Sequence, residues 1–280
     1  PLSRARSRRT GLSVVLKGYH KANLSARERT TVRREARLMG LLRHRHVVRG
    51  LGTLEDEGCI YLAQERCHRG SMYHELSLRG PVEEGKAVGA VLAPLLSAVA
   101  YMHAMRVVHR DIKPENVLLS EGGDVKLCDF GCSIDAVSER PQSSVGTVDY
   151  AAPELLAADD EVAFIAPPRG EEEGEGPLYG EVVDTWSVGV MAYELLTGEL
   201  PFACESVWAT IRAVVDPAKR HKEPGCVSEE ARAFIDGALA KDPSQRLTAM
   251  EMLEHPFIAR HAGRGGSAEA RAQPAPIPAP

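Results

Sequence analysis

The stretch "HRDIKPENVLLSEGGDVKLCDFG", residues 109–131, decides the fold that this chain can adopt. Two short apolar runs, 117–119 and 125–127, enclose a polar segment with two adjacent glycines, which predicts an antiparallel hairpin. In such a hairpin the start of the first strand lies beside the end of the second. Asn116 and Asp129 flank those two ends, so their side chains are expected to converge.

Two further charged residues lie on the same loop as Asn116. Asp111 adds a carboxylate five residues earlier, and Lys113 adds a cation. Carboxylate and amide oxygens that meet at one point suit Mg²⁺, which usually takes one or two ligands from the protein and the rest from water and phosphate. Taken singly, each residue is explained at least as well as an ordinary loop former, because Asp and Asn are common in turns. Their joint spacing favours a functional site.

A helix is predicted over about 26–42, in the stretch that begins "SARERTTVRREARLMG". Ser25 and Glu28 have the capping-box spacing at its start, and apolar residues recur at helical intervals along one face. Glu35 lies on that apolar face, where a lone carboxylate is costly to bury. It either turns to solvent beside neighbouring arginines or finds a buried cation.

Lys17 is an equally isolated cation, within the apolar stretch "GLSVVLKGYHK" of residues 11–21. No acidic residue neighbours it in sequence, and the stretch is predicted to be a strand. A pair between Lys17 and Glu35 would explain both residues. The residues alone leave this pair and a solvent-facing Glu35 as two alternatives.

The bulk composition limits the class of protein. The 280 residues are 44% hydrophobic, which is enough for a sizeable core in one large domain or two lobes. A net charge of −5 argues against nucleic acid as the main partner. The longest apolar tract, 87–102, is shorter than a membrane span and is predicted to be a buried helix that Pro94 kinks or breaks. Six cysteines without zinc spacing are typical of a reducing compartment, here the cytoplasm or nucleus.

The chain changes character along its length. Short and alternating apolar runs fill about the first 65 residues, and helical patterns dominate beyond about residue 80. This change predicts a small sheet-rich lobe at 1–65, a linker within 61–71 and a larger helical lobe at 66–258. Residues 158–178 are rich in Glu, Gly and Pro and are predicted to form an acidic surface insertion, and residues 259–280 a disordered tail.

Taken in order, these motifs resemble a eukaryotic protein kinase. "HRDIKPEN" resembles the catalytic loop, "DFG" the magnesium motif, "APE" the end of the activation segment, and "VVLK" the strand that carries a phosphate-binding lysine. The resemblance covers about residues 2–258. It implies the α+β, two-lobed kinase fold, with an incomplete β-rich small lobe and a mainly helical large lobe.

The resemblance also implies roles for residues of the catalytic stretch. Asp111 matches the base that orients the substrate hydroxyl, and Lys113 is the lysine of the same loop. Asn116 and Asp129 match the ligands of Mg²⁺. The implied activity is transfer of the γ-phosphoryl group of ATP.

The nucleotide-binding residues are implied in the same way. Lys17 matches the lysine that holds the α and β phosphates of ATP, and Glu35, 18 residues later, matches its helix partner. Gln64 matches the gatekeeper at the linker between the lobes. The backbone of Glu65 and Cys67 matches the groups that hydrogen-bond the adenine.

Other motifs indicate the kind of kinase. Lys113 and Thr147 in "GTVDY" match the serine/threonine pattern, which implies Ser or Thr hydroxyls of protein substrates. Glu115 matches an acidic residue that favours a basic residue just before the acceptor. "RREARLMGLLRHRHVV" and "GTVDYAAPELL" look most like Aurora kinases, which implies a role in cell division and an activating protein partner. "HRHVVRGLGTLEDE" and "QERCHRGS" are also similar to Polo-like kinases.

Two further features follow from the resemblance. Ser143 lies where the family is often phosphorylated, and a phosphate there would pair with Arg110; the alternative is an ordinary loop serine. Arg246 in "DPSQRLTAMEMLEHPF" matches the arginine that pairs with Glu154 of the "APE" motif.

One family motif is not found. None of the 16 residues before Lys17 forms the Gly-x-Gly-x-x-Gly loop that covers the ATP phosphates. "ARSRRTGLSVVLK" matches the strand after that loop, a Thr-Gly turn and the next strand, so the chain is expected to begin just after it. This leaves an impaired pseudokinase scaffold as the alternative to an active kinase. A small-molecule kinase of the aminoglycoside type is disfavoured by the "APE" and "GTVDY" motifs, which serve peptide substrates.

Overall fold

The computed structural model describes residues 1–8, 10–136, 147–157, 179–225 and 227–262. The small lobe contains a four-stranded antiparallel sheet with the strand order β1-β2-β4-β3. Its strands are β1 (Leu2–Arg6), β2 (Ser13–His20), β3 (Gly50–Glu55) and β4 (Cys59–Glu65). The predicted Thr-Gly turn joins β1 to β2, and Gly11 takes the positive φ of 70° that few other residues tolerate. Lys17 therefore lies on an inner strand.

The helix of the small lobe, α1 (Ala26–Leu41), packs against this sheet. Both hydrogen bonds of the predicted capping box are present, since Ser25 Oγ accepts from the Glu28 N–H and the Glu28 carboxylate accepts from the Ser25 N–H. The helix predicted over 26–42 is confirmed. Its buried face consists of Val32, Glu35, Leu38 and Met39.

The linker between the lobes is shorter than the predicted 61–71. Residues 61–65 belong to β4, because the ladder with β2 continues as far as the pair Val14 and Glu65. The next helix, α2 (Met72–Arg79), begins after Ser71, whose hydroxyl accepts a hydrogen bond from the His74 N–H. The connection therefore comprises residues 66–71.

The helix is not broken at Pro94, but its regular α geometry is disturbed just before the proline. Helix α3 spans Glu84–Ala104, and residues Val88–Leu92 form a π turn in which the Ala93 N–H donates to Val88 O. This wider turn leaves room for the proline ring where an α turn would bring it against a carbonyl. Within the described residues, α3 is the helix long and apolar enough to span a membrane. Its buried side chains nevertheless form part of the core of the large lobe.

Two small antiparallel pairs lie next to the lobe boundary. The predicted hairpin is confirmed as β6 (Val117–Leu119) and β7 (Val125–Leu127), with Val117 opposite Leu127. The second pair consists of β5 (Val107–Val108) and β8 (Ile134–Asp135). Together they hold the loops that carry Asp111, Asn116 and Asp129.

The rest of the large lobe is helical around one buried helix, α5. The helices after the hairpins are α4 (Pro153–Leu156), α5 (Val182–Thr197), α6 (Val207–Val215), α7 (Glu229–Ala238), α8 (Ala249–Glu254) and α9 (Pro256–Ala262). On α5, Trp186 is fully buried and stacks on Phe202 with ring centroids 5.5 Å apart. Gly189 lies against α7, where a Cβ would stand 2.6 Å from the Ala238 Cβ. The fold is the expected α+β, two-lobed arrangement.

The last helix extends beyond the predicted end of the folded lobe. Phe257 and Ile258 are buried, and α9 continues from them to residue 262, so 259–262 are helical where a tail was expected. The predicted insertion 158–178, Ser143 and residues 263–280 lie outside the described residues.

Candidate active site

Lys17 on β2 and Glu35 on α1 form the ion pair that the sequence left as one of two alternatives. Lys17 Nζ lies 2.8 Å from Glu35 Oε1, and Glu35 is 1% exposed, so it does not face solvent. Lys17 Nζ also lies 2.7 Å from Asp129 Oδ1. Burial alone would lower the pKa of Lys17, but the two carboxylates raise it above its usual value. Lys17 therefore stays charged and joins α1 to the loop of the large lobe.

Asn116 and Asp129 lie at the adjacent ends of the β6–β7 hairpin, as predicted. The pairing continues past the strands, because the Cys128 N–H donates to Asn116 O over 2.9 Å. Asp129 has a φ of 65°, in the left-handed region, and its carboxylate accepts from the Gly131 N–H. Burial would raise the pKa of Asp129, yet Lys17 holds it below the ordinary value. An ionised carboxylate thus points toward Lys17.

The donor set at this point fits Mg²⁺. Asn116 uses its amide nitrogen to donate to Asp111, over 2.9 Å to Oδ2, which leaves its amide oxygen as the ligand atom. Asp129 keeps a side chain that is 45% exposed. In the described part of the chain no cluster of three or more His, Cys, Asp or Glu side chains could enclose a metal. One carboxylate and one amide match a cation that retains water and phosphate ligands.

Asp111 is the centre of a hydrogen-bond network on the loop before β6. Its Oδ2 lies 3.0 Å from Lys113 Nζ, and its Oδ1 accepts from the Thr147 N–H over 3.1 Å and from Thr147 Oγ1 over 3.3 Å. Lys113 Nζ also donates to Thr147 Oγ1. The predicted residues Lys113, Asn116 and Thr147 therefore all contact Asp111. Their contacts hold the Asp111 carboxylate in a single orientation.

Sequence reasoning missed the residue beneath this loop, Asp184 of α5. It is completely buried, and it accepts hydrogen bonds from the backbone N–H groups of His109 and Arg110 at 2.9 and 2.8 Å. His103 Nε2 lies 2.9 Å from the same carboxylate. Burial would raise the pKa of Asp184, but His103 and the backbone donors hold it below its usual range. The sequence did contain a signal for Asp184, because it is a carboxylate in a helix that is apolar on nearly all sides.

Arg110 already has partners in the described residues. Its Nε donates to Cys132 O and its Nη1 to the Tyr179 hydroxyl, both over 2.6 Å, and the residue is 4% exposed. Ser143, whose phosphate was predicted to pair with Arg110, lies outside the described residues. That pairing stays a prediction.

The predicted nucleotide-base contacts lie at the end of β4 and in the linker. Gln64 is opposite Val15 of β2, and the Glu65 N–H donates to Arg49 O over 2.9 Å. The Glu65 N–H is therefore already used and is not available to a base. Cys67 is half-buried, and burial raises the pKa of its thiol to about 11. Lys126 anchors the Glu65 carboxylate at 2.9 Å.

A group of acidic residues surrounds Tyr150 on the large lobe. The Tyr150 hydroxyl donates to Glu194 Oε2 over 2.6 Å. Burial raises the pKa of Glu194, and the negative charges of Glu115 and Asp149 raise it further. These three carboxylates form a concentration of negative charge that a basic side chain would neutralise.

The predicted pair of Glu154 and Arg246 is also present. Arg246 donates from Nη1 and Nη2 to the two carboxylate oxygens at 2.5 and 3.0 Å. The side chain of Arg246 is completely buried, and its guanidinium lies 5.1 Å from the Trp186 ring centroid. The pair fixes α4, which follows Thr147, to the helical core.

The two lobes, the lysine–glutamate pair and the two loops that carry Asp111 and Asp129 define a protein kinase domain. The chain belongs to this family, since the family described as "Protein kinase domain" matches residues 2–258.

Within the family the chain is Aurora-like, and curated relatives with this name match most of it. It is 34% identical over 259 residues to "Aurora kinase" of Schizosaccharomyces pombe, which covers 92% of this chain and 67% of that protein. It is 33% identical to "Aurora kinase A-A" of Xenopus laevis over 92% of this chain and 58% of that protein. It is 33% identical to "Serine/threonine-protein kinase Aurora-2" of Arabidopsis thaliana over 94% of this chain and 86% of that protein. The chain thus spans little more than half the length of some relatives.

Proposed function

We propose that this domain transfers the γ-phosphoryl group of ATP to Ser or Thr hydroxyls of protein substrates. The observation that carries the proposal is the position of Lys17 Nζ between Glu35 and Asp129, at 2.8 and 2.7 Å. In protein kinases both the lysine–glutamate pair and the magnesium-binding aspartate must be in place for catalysis. The alternative, a scaffold without catalysis, gains no support from this arrangement.

Each residue between the two lobes would have a separate role in the reaction. Bound Mg·ATP would supply the phosphoryl group, and its magnesium ion would neutralise part of the negative charge of the phosphates. Lys17 would hold the phosphates, and Asn116 and Asp129 would hold the magnesium ion through their side-chain oxygens. Asp111 would accept a hydrogen bond from the substrate hydroxyl and orient its oxygen for attack. Catalysis of this kind depends on positioning and charge stabilisation more than on covalent chemistry of the protein.

The contacts of Thr147 and the acidic group support a particular substrate class. Thr147 binds both Asp111 and Lys113, the contacts expected beside a Ser or Thr acceptor. Glu115, Asp149 and Glu194 concentrate negative charge on the large lobe. We therefore infer a preference for peptides with a basic residue shortly before the acceptor.

The Aurora-like sequence supports wider proposals about the whole protein. We propose a role in cell division, an activating protein partner, activation through phosphorylation of Ser143 and a location in the cytoplasm or nucleus. Arg110 would have to exchange its contact with the Tyr179 hydroxyl for one with the phosphate.

The test of the proposed function is the substitution Asp111→Asn in the full-length protein. The amide keeps the shape of the side chain but cannot act as a base, so transfer of phosphate to a basic Ser peptide should fall by about 10²–10⁴-fold. Asp124→Asn is the matched control, because Asp124 lies in the hairpin turn with a half-exposed ion pair to Arg45. Equal activity of Asp111→Asn and the control would contradict the role of Asp111. Absence of transfer in the unsubstituted protein would favour the scaffold.

A further inference from the structure

Glu35 is held by two donors, and sequence reasoning considered only one of them. Lys17 Nζ approaches Oε1 at 2.8 Å, and the Tyr19 hydroxyl donates to Oε2 over 2.6 Å. Residues two apart on a strand face the same side of the sheet, so both donors project from β2 toward α1. The two oxygens of one buried carboxylate are thus bound to one strand by independent side chains.

The two donors differ in whether they also bind other anions. Lys17 divides its charge between Glu35 and Asp129, which lies 2.7 Å from Nζ. Phosphates in the cleft would divide that charge further. Tyr19 binds the other oxygen of Glu35, and its ring centroid lies 5.6 Å from Lys17 Nζ. Its hydroxyl can keep the carboxylate in place while Lys17 turns to other anions.

The surroundings keep the Tyr19 hydroxyl a donor. Tyr19 is partly buried against the core, and Glu35 is 1% exposed. Burial, followed by the negative charge of Glu35, raises the pKa of Tyr19 above its usual value. A hydrogen bond from a neutral hydroxyl to a buried carboxylate is among the stronger hydrogen bonds in proteins.

We propose that Tyr19 is a positioning residue that keeps α1 docked on β2 and so keeps Lys17 aligned for phosphate transfer. The inference rests on the proposed function, because alignment of Lys17 matters only if Lys17 holds phosphates. Tyr19 acts through Glu35 and does not itself touch the reacting groups.

The test substitutes Tyr19→Phe, which removes the hydroxyl and keeps the ring. Loss of a hydrogen bond to a charged, buried group should speed the hydrogen exchange of the α1 amides by about tenfold. The kcat for transfer to a Ser peptide should fall by about tenfold as well, because Lys17 loses its alignment. The KM for the peptide should stay unchanged, since Tyr19 contacts Glu35 of the small lobe and not the loop that carries Asp111.

Two controls separate this role from a merely structural one. Tyr73→Phe removes the hydroxyl of a half-exposed tyrosine on α2 and should leave exchange and kcat unchanged. In a Glu35→Ala background the acceptor is gone, so adding Tyr19→Phe should speed α1 exchange no further. A further increase there would overturn the proposal.

The remaining outcomes are equally decisive. If the unsubstituted protein transfers phosphate and Tyr19→Phe does so equally well, the proposal is wrong and the proposed function stands. Faster α1 exchange with unchanged kcat would limit Tyr19 to a structural role and overturn the proposal. If the unsubstituted protein transfers no phosphate, the proposed function fails, and the exchange data still decide whether Tyr19 holds Glu35.

Discussion

The substitution Glu154→Ala should be strongly destabilising because it leaves the buried guanidinium of Arg246 without a counter-ion. Arg246 has a side chain with no exposed area, and Glu154 is its anionic partner through both carboxylate oxygens. Three backbone carbonyls, of Val182, Ala240 and Lys241, also accept from the guanidinium at 3.1, 3.0 and 3.5 Å. The substitution would leave only these neutral acceptors around the charge.

The magnitude follows from the burial of the pair. Breaking a buried ion pair by removing one partner costs about 3–5 kcal/mol, and the remaining carbonyls place this case near the lower end, at about 3 kcal/mol. For a domain of this size each kcal/mol lowers Tm by about 2–4 °C, so the expected fall is about 6–12 °C. Thermal unfolding followed by circular dichroism measures it.

Two further variants make the reasoning refutable. Glu230→Ala breaks an ion pair with Arg260 whose side chains are 35% and 62% exposed, and it should cost at most about 1 kcal/mol. Adding Arg246→Met to Glu154→Ala removes the stranded charge and should recover part of the lost stability. If Glu154→Ala lowers Tm no more than Glu230→Ala does, the pair contributes nothing beyond a surface contact and the reasoning is wrong.

Two other predictions concern the substrate pocket and the core. Burial and neighbouring carboxylates raise the pKa of Glu194, so as pH falls it should take up a proton at a pH above 4.5, the ordinary value. The KM for an Arg-containing peptide should therefore rise with acidification, and Glu194→Gln should reduce this dependence in steady-state assays. Gly189→Ala would place a Cβ 2.6 Å from the Ala238 Cβ and should cost about 1–3 kcal/mol in chemical denaturation. Gly40→Ala, at an exposed helical position with no atom near the added Cβ, should instead stabilise by up to about 1 kcal/mol.

The elements closest to the site could be predicted because their signals are local. The hairpin of β6 and β7 follows from two apolar runs around a glycine pair, and its register places Asn116 beside Asp129. The capping box of Ser25 and Glu28 marks the start of α1. The Lys17–Glu35 pair was foreseeable for another reason, since two isolated charges in apolar surroundings each lack a counter-ion.

Other features depend on contacts that no local pattern contains. Asp184 lies 74 residues after Arg110 in sequence and supports the catalytic loop only because α5 runs beneath it. Pro94 was expected to kink or break its helix, but the sequence did not predict the π turn just before the ring, with which α3 continues through the core. The linker begins at residue 66 and not at 61 for a similar reason, because the β2–β4 ladder extends to Glu65.

The sequence by itself determined the kinase family, the α+β class and the identity of the charged residues in the cleft, because those depend on residue types at set spacings. Only the tertiary structure decided how the charges are shared. Lys17 contacts two carboxylates, and Tyr19 supplies the second donor to Glu35. A hydrogen bond depends on distance and direction between side chains of different elements. Those quantities exist only after β2, α1 and the Asp129 loop have packed together.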